Sequence, residues 1–181
     1  MKIGECVFFA PKIRFSDLDV DSPTIVEHFH SRLNGYYIAP ARALSQKDHC
    51  FAAVLLLASC IDAIARYALM QKRGNHERYV AWLQTAIPSL KSKPAATQFY
   101  KDFRCGLVHE ARAKRGCVFT TETARPVFVD NGTMAVNPRL FANEVEDALT
   151  TFVAMLLKSP NALATFQRQL KDDFQLELAA K

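Results

Sequence analysis

Phe99-Tyr-Lys-Asp-Phe-Arg-Cys-Gly-Leu-Val-His-Glu-Ala-Arg112 is the stretch on which the reading of this 181-residue chain turns. Arg104 and His109 stand in it with four residues between them. An imidazole can move a proton near neutral pH. A guanidinium can hold a phosphate through two parallel hydrogen bonds and stay charged throughout. Together they are the minimum equipment for phosphate chemistry that needs no metal and no cofactor. The stretch lies in a helix predicted from Ala95 to about Lys114, with Gly116 as its stop and Arg112, Lys114 and Arg115 in its last turn.

Outward from there, the chain reads as mainly α. Ser22-Pro23 is a cap followed by proline at the first helical position, and Ile25, Val26, Phe29, Leu33 and Tyr36 recur at helical spacing. Gly35 and Pro40 are expected to break or kink that helix. A second helix is predicted from Ser45 or Gln46 to about Lys72, stopped by Gly74-Asn75. It is apolar nearly all round, which marks it as central. A third runs from His76 to Leu90, with Pro88 ending or kinking it. After the motif helix the period changes. Val118-Phe-Thr-Thr121 and Val127-Phe-Val129 are β-branched and aromatic, and Asp130-Asn-Gly132 is a turn signal. A hairpin or three-stranded flap is therefore expected over residues 117–136. Asn137-Pro138 and Ser159-Pro160 open two further helices, the last over residues 159–178. Residues 1–21 read as an extended arm, and the whole as one domain, 1–181.

Half of the residues are hydrophobic, and the formal net charge is +5. That balance is compatible with an RNA or phosphate partner and equally with an ordinary protein. The five cysteines (Cys6, Cys50, Cys60, Cys105, Cys117) are odd in number and form no C-x-x-C pair. That pattern argues against a disulfide framework and against a zinc site, and reduced thiols in a cytoplasm fit it best. His28 and His30 are splayed by their spacing and no further ligand completes a metal set. The run from Cys50 to Met70 is about long enough to cross a bilayer, but Asp62 and Arg66 interrupt it. It is read as a buried helix and not as a membrane span.

Phe103-Arg-Cys-Gly-Leu-Val-His109, late in a helical chain, resembles the R-x4–6-H signature of the HEPN superfamily. The resemblance is strongest from Gln98 to Arg115 and looser over Ser45 to Lys158. It implies a small up-down helical bundle with a β insert, and a metal-independent endoribonuclease of the kind found among toxins and defence proteins. It also implies a homodimer whose two motif copies line one groove, an RNA or nucleotide partner, and an antitoxin-like protein as a further partner. Arg104 and His109 would be catalytic, and Asp62 on the central helix would orient His109 or bind Arg104. The superfamily also contains catalytically inactive modules that bind RNA, nucleotides or proteins, and that is the alternative reading.

Several points stay open on the residues alone. Ser59, Asp62 and Arg66 share one helical stripe. It either faces the motif or lies in solvent with an Asp62–Arg66 pair worth roughly 0.3–0.5 kcal/mol. Arg112, Lys114 and Arg115 either draw in an RNA backbone or simply complement the helix end. Arg104 could pair with Asp102 or Glu110 instead of serving a site. Finally, five residues of ideal helix turn Arg104 and His109 about 140° apart. Convergence then needs an irregular helix near Gly106, a long reach by Arg104, or a two-fold dimer.

Overall fold

Side-chain caps set several helix starts. Ser92 Oγ accepts from Ala95 N, Ser159 Oγ from Ala162 N, and Asn137 Oδ1 from the amides of Arg139 and Leu140. Each capped residue is followed within two positions by a proline whose missing N–H costs nothing there. The computed structural model describes residues 2–3, 6–70 and 74–179. In chain order the elements are β1 (Lys2–Ile3), β2 (Cys6–Ala10), β3 (Ile13–Arg14), α1 (Ile25–Leu33), α2 (Ala39–Gln46), α3 (Cys50–Ala68) and α4 (Asn75–Ala86). There follow α5 (Lys93–Phe99), α6 (Cys105–Glu110), β4 (Val118–Phe119), β5 (Val127–Asp130), β6 (Thr133–Val136), α7 (Pro138–Lys158), α8 (Pro160–Asp173) and α9 (Gln175–Ala179). The fold is mainly helical with two small sheets.

The chain divides into two compact units, residues 1–36 with 149–181 and residues 37–148. In the first, the expected extended arm is a three-stranded antiparallel sheet, β1-β2-β3. Its Phe9 packs edge-on against Phe15 and Phe174, each with ring centroids 5.5 Å away. The Arg32 guanidinium lies over Phe9 and Phe174, at 5.1 and 5.0 Å, and donates to the Phe9 carbonyl. Gly35 is required by a close approach, since a Cβ there would collide with the Pro11 ring. The helical backbone does not break at Gly35. It passes through a π-turn, Asn34–Ile38, into α2. The predicted last helix stops at Asp173, and α9 is a separate short piece.

The second unit is built on α3. Ala53, Val54, Leu57, Ala58, Ile61 and Ile64 on it are buried. Burial pushes the Cys60 thiol up to about 12, so it is an inert apolar group. Among the described residues α3 is the one helix long and apolar enough to cross a bilayer, with mean hydropathy 1.7. The predicted start at Ser45 or Gln46 is wrong. Those residues finish α2, and a turn through Asp48, at φ +60°, separates the two helices. The predicted end at Lys72 lies outside the described residues, while the helix itself stops at Ala68. Helix α4 ends at Ala86, before Pro88. Phe99 stacks on Phe103 at 5.4 Å and meets Phe141 at 5.1 Å, and Phe103 meets Phe119 of the second sheet at 5.6 Å. That sheet has the order β4-β6-β5, with β4 parallel and β5 antiparallel to β6. Asn131 and Gly132, at φ +47° and +79°, form the two-residue turn between β5 and β6.

Candidate active site at Arg104 and His109

The motif helix is not the single α-helix expected from Ala95 to Lys114. It begins at Lys93, and Tyr100–Arg104 form a π-turn, closed by the Cys105 N–H bonding to the Tyr100 carbonyl. It ends at Glu110, because Ala111 adopts the left-handed conformation at φ +53°. Gly116 is therefore not its stop. The chain after Ala111 folds back along the helix. Arg112 N bonds to the Gly106 carbonyl at 3.2 Å and Lys114 N to the Asp102 carbonyl at 3.0 Å.

Gly106 is what lets the chain return so closely. A Cβ there would collide with the Arg112 carbonyl oxygen and press on the Lys114 side chain. In an open helix, Gly to Ala gains up to about 1 kcal/mol. Here the obstacle is backbone, so the sign reverses. Gly106→Ala should cost about 1–3 kcal/mol. In a chain of this length that lowers the melting temperature by roughly 3–9 °C, read by calorimetry.

Arg104 occupies the last position of the π-turn. Its Nε and Nη2 both donate to Asp62 Oδ2 on α3, at 2.7 and 2.6 Å. Its Nη1 lies 3.1 Å from His109 Nε2. Its guanidinium also sits 5.7 Å from the centre of the Tyr100 ring. The three groups named from the sequence thus converge within one chain, with the guanidinium in the middle. The backbone is helical at Arg104, Cys105 and Gly106, so the 140° separation is spanned by the length of the arginine side chain and not by irregularity at Gly106. Asp62 binds Arg104 and does not touch His109. The pairing of Arg104 with Asp102 or Glu110 does not occur.

The Arg104 side chain is only 15% exposed and that of Asp62 28%, whereas His109 lies open to solvent. Burial alone would lower the pKa of Arg104, but the Asp62 carboxylate outweighs it and holds the guanidinium above its ordinary value. The cation is permanent. A guanidinium has no acceptor, so the contact with His109 is a hydrogen bond only when Nε2 carries the lone pair and Nδ1 the proton.

Below Arg104 is an aromatic floor that the sequence reading missed. Tyr100 packs edge-on against His76 at 4.8 Å and against the fully buried Tyr79 at 5.2 Å. Burial raises the Tyr100 pKa, and contact with Cys105 adds to it, so the phenol stays protonated. The signal was present in the four-residue spacing from Tyr100 to Arg104, which stacks the two on a helix.

The three cations assigned to RNA in the sequence reading are held by local carboxylates. Arg112 bonds Glu110 at 2.9 Å, and Lys114, four residues on in the returning chain, bonds it too. These contacts, Lys114 first, lower the Glu110 pKa. Arg115 forks onto the buried Asp102, with Nη2 to Oδ2 at 2.7 Å. Among the described residues no three His, Cys, Asp or Glu side chains group closely enough to hold a metal ion. No known protein family, no curated protein and no solved structure matches this chain.

Proposed function

We propose that this protein is a HEPN-like endoribonuclease that cleaves RNA without a metal, acting through Arg104 and His109. One observation carries the reading. Arg104 presents Nη1 to an exposed His109 while Asp62 fixes the opposite edge of the guanidinium. Asp62 is thereby a positioning residue, and the free edge is preorganised for an incoming anion.

The chemistry follows from what each atom can hold. A phosphate oxygen is a stronger acceptor for a guanidinium N–H than a neutral imidazole is. An RNA phosphate at this corner would take over the Nη1 bond and release the Nε2 lone pair. Nε2 then accepts the proton of the neighbouring 2′-hydroxyl as its oxygen bonds to phosphorus. The bond from phosphorus to the 5′-oxygen breaks, and that oxygen takes up a proton, from the imidazolium or from water. The products are a 2′,3′-cyclic phosphate and a 5′-hydroxyl. DNA lacks the nucleophile and is not cut. Val108, beside His109, is 45% exposed. Apolar surface beside the motif suits a second copy of the chain, in keeping with the proposed homodimer.

The second reading is a HEPN-like module that binds RNA, a nucleotide or a protein without turnover. The pairing of Arg104 Nε and Nη2 with Asp62 favours it, because a structural ion pair looks the same. Incubation of purified protein with mixed RNAs in chelator separates the two. Cleavage with cyclic-phosphate ends is expected. Intact RNA, under conditions where a control nuclease cuts, leaves only the binding module.

A further inference from the structure

A cavity of about 440 Å³ opens beside α5, lined by Lys93, Thr97, Gln98, Lys101, Arg115 and Gly132 among others. Among the described residues no carboxylate and no aromatic ring lines it. Lys93 and Thr97 share one face of α5, and Lys101 follows in the π-turn. Both lysines are exposed, and among the described residues neither has an ion-pair partner. Their neighbours differ: Arg112 and Lys114 are satisfied by Glu110. Arg115, left-handed at φ +52°, forks onto Asp102. That fork uses Nε and Nη2, and among the described residues Nη1 has no partner. Asp102 is 1% exposed and pairs with Arg115, so it offsets one of the three positive charges and leaves an excess of two. The far rim is the β5–β6 turn, pinned by Gln98 Nε2 donating to the Gly132 carbonyl at 2.9 Å.

We propose that this cavity binds a phosphate group bearing two or more negative charges, a phosphomonoester or a diphosphate. A concave site lined by one sign of charge concentrates anions. An excess of two positive charges matches a terminal phosphate better than a singly charged diester. The absence of an aromatic ring means that the phosphate is recognised and not a base. An adjoining hollow of about 510 Å³ shares Lys93 and Thr97 and is lined by His76, Gln84 and Glu77. Its carboxylate repels phosphate, which places the anion on the Arg115 side and leaves the hollow for an organic remainder. The site uses neither Arg104 nor His109 and stands whether or not the chain cuts RNA.

The test is calorimetric titration of the full chain with inorganic pyrophosphate and with inorganic phosphate at low salt. One pyrophosphate per chain is expected. Lys93→Ala with Lys101→Ala should weaken it at least 10-fold, and a folded circular dichroism spectrum is expected because both side chains are exposed. Arg104→Ala should change it less than twofold, which keeps this site separate from the nuclease reading. A 5′-phosphorylated RNA binding at least 10-fold more tightly than its 5′-hydroxyl form, with the difference lost in the double variant, identifies an RNA end as the source. Pyrophosphate binding without that difference identifies a small organic phosphate. Failure of pyrophosphate and phosphate to bind, or binding that the double variant leaves intact, overturns the proposal.

Discussion

His109→Ala should reduce RNA cleavage by about 10²- to 10⁴-fold, the range that a positioned acid or base contributes. Stability should hardly change, within about 0.5 kcal/mol, because the side chain is exposed and anchors no core group. His109→Gln is the sharper variant. A glutamine carbonyl can still accept from Nη1 of Arg104, so it keeps the hydrogen bond seen at 3.1 Å. It cannot take and return a proton near neutral pH. If proton transfer is the work of this position, His109→Gln is as inactive as His109→Ala. If His109→Gln retains more than a tenth of the wild-type rate in a cyclic-phosphate assay, His109 is only a hydrogen-bond partner. The base must then be sought elsewhere. RNA affinity, measured by anisotropy on an uncleavable 2′-deoxy substrate, should stay within twofold for both variants.

Where local chemistry decides structure, this chain was legible. Asn137-Pro138 and Ser159-Pro160 open helices because their side chains cap amides a few residues away. Asn131-Gly132 turns a hairpin because those residue types accept positive φ. The helical character of the motif could be read for similar reasons, and Arg104 and His109 from their side-chain chemistry, whereas Asp62 was named through the family resemblance. What could not be read depends on packing between distant segments. The π-turn at Tyr100–Arg104 has no composition signal, since its phase is set by Phe99 and Phe103 seating in the core. The left-handed Ala111 hid the end of the helix, because it is not the glycine or asparagine that usually marks such a stop. Gly106 looked like a weak point in the helix and is a point of backbone contact. Asp62 and Arg104 are 42 residues apart, so their pairing follows from the approach of α3 to the motif and from nothing local.

Arg104→Lys is the substitution that separates a catalytic guanidinium from a structural one. A lysine keeps the charge and can still pair with Asp62, so stability should fall by about 1 kcal/mol or less. Its single ammonium cannot span Asp62 and a phosphate with fixed geometry, as the planar fork does through Nε, Nη2 and Nη1. Cleavage should therefore drop by about 10²- to 10³-fold, the cost of losing one preorganised donor at a developing charge. Asp62→Asn supplies the complement. An amide oxygen still accepts from Nε, so the guanidinium stays in place while its counter-charge is gone. A loss of about 10-fold is expected, smaller than for Arg104→Lys, because Asp62 acts only through the arginine. Asp62→Ala leaves the largely buried guanidinium without its anchor and should cost about 2 kcal/mol as well as activity. The double-mutant cycle then discriminates. A structural pair predicts coupling between Asp62 and Arg104 in melting temperature, with cleavage following stability in every variant. A catalytic arginine predicts that Arg104→Lys abolishes cleavage at a temperature where the variant is fully folded.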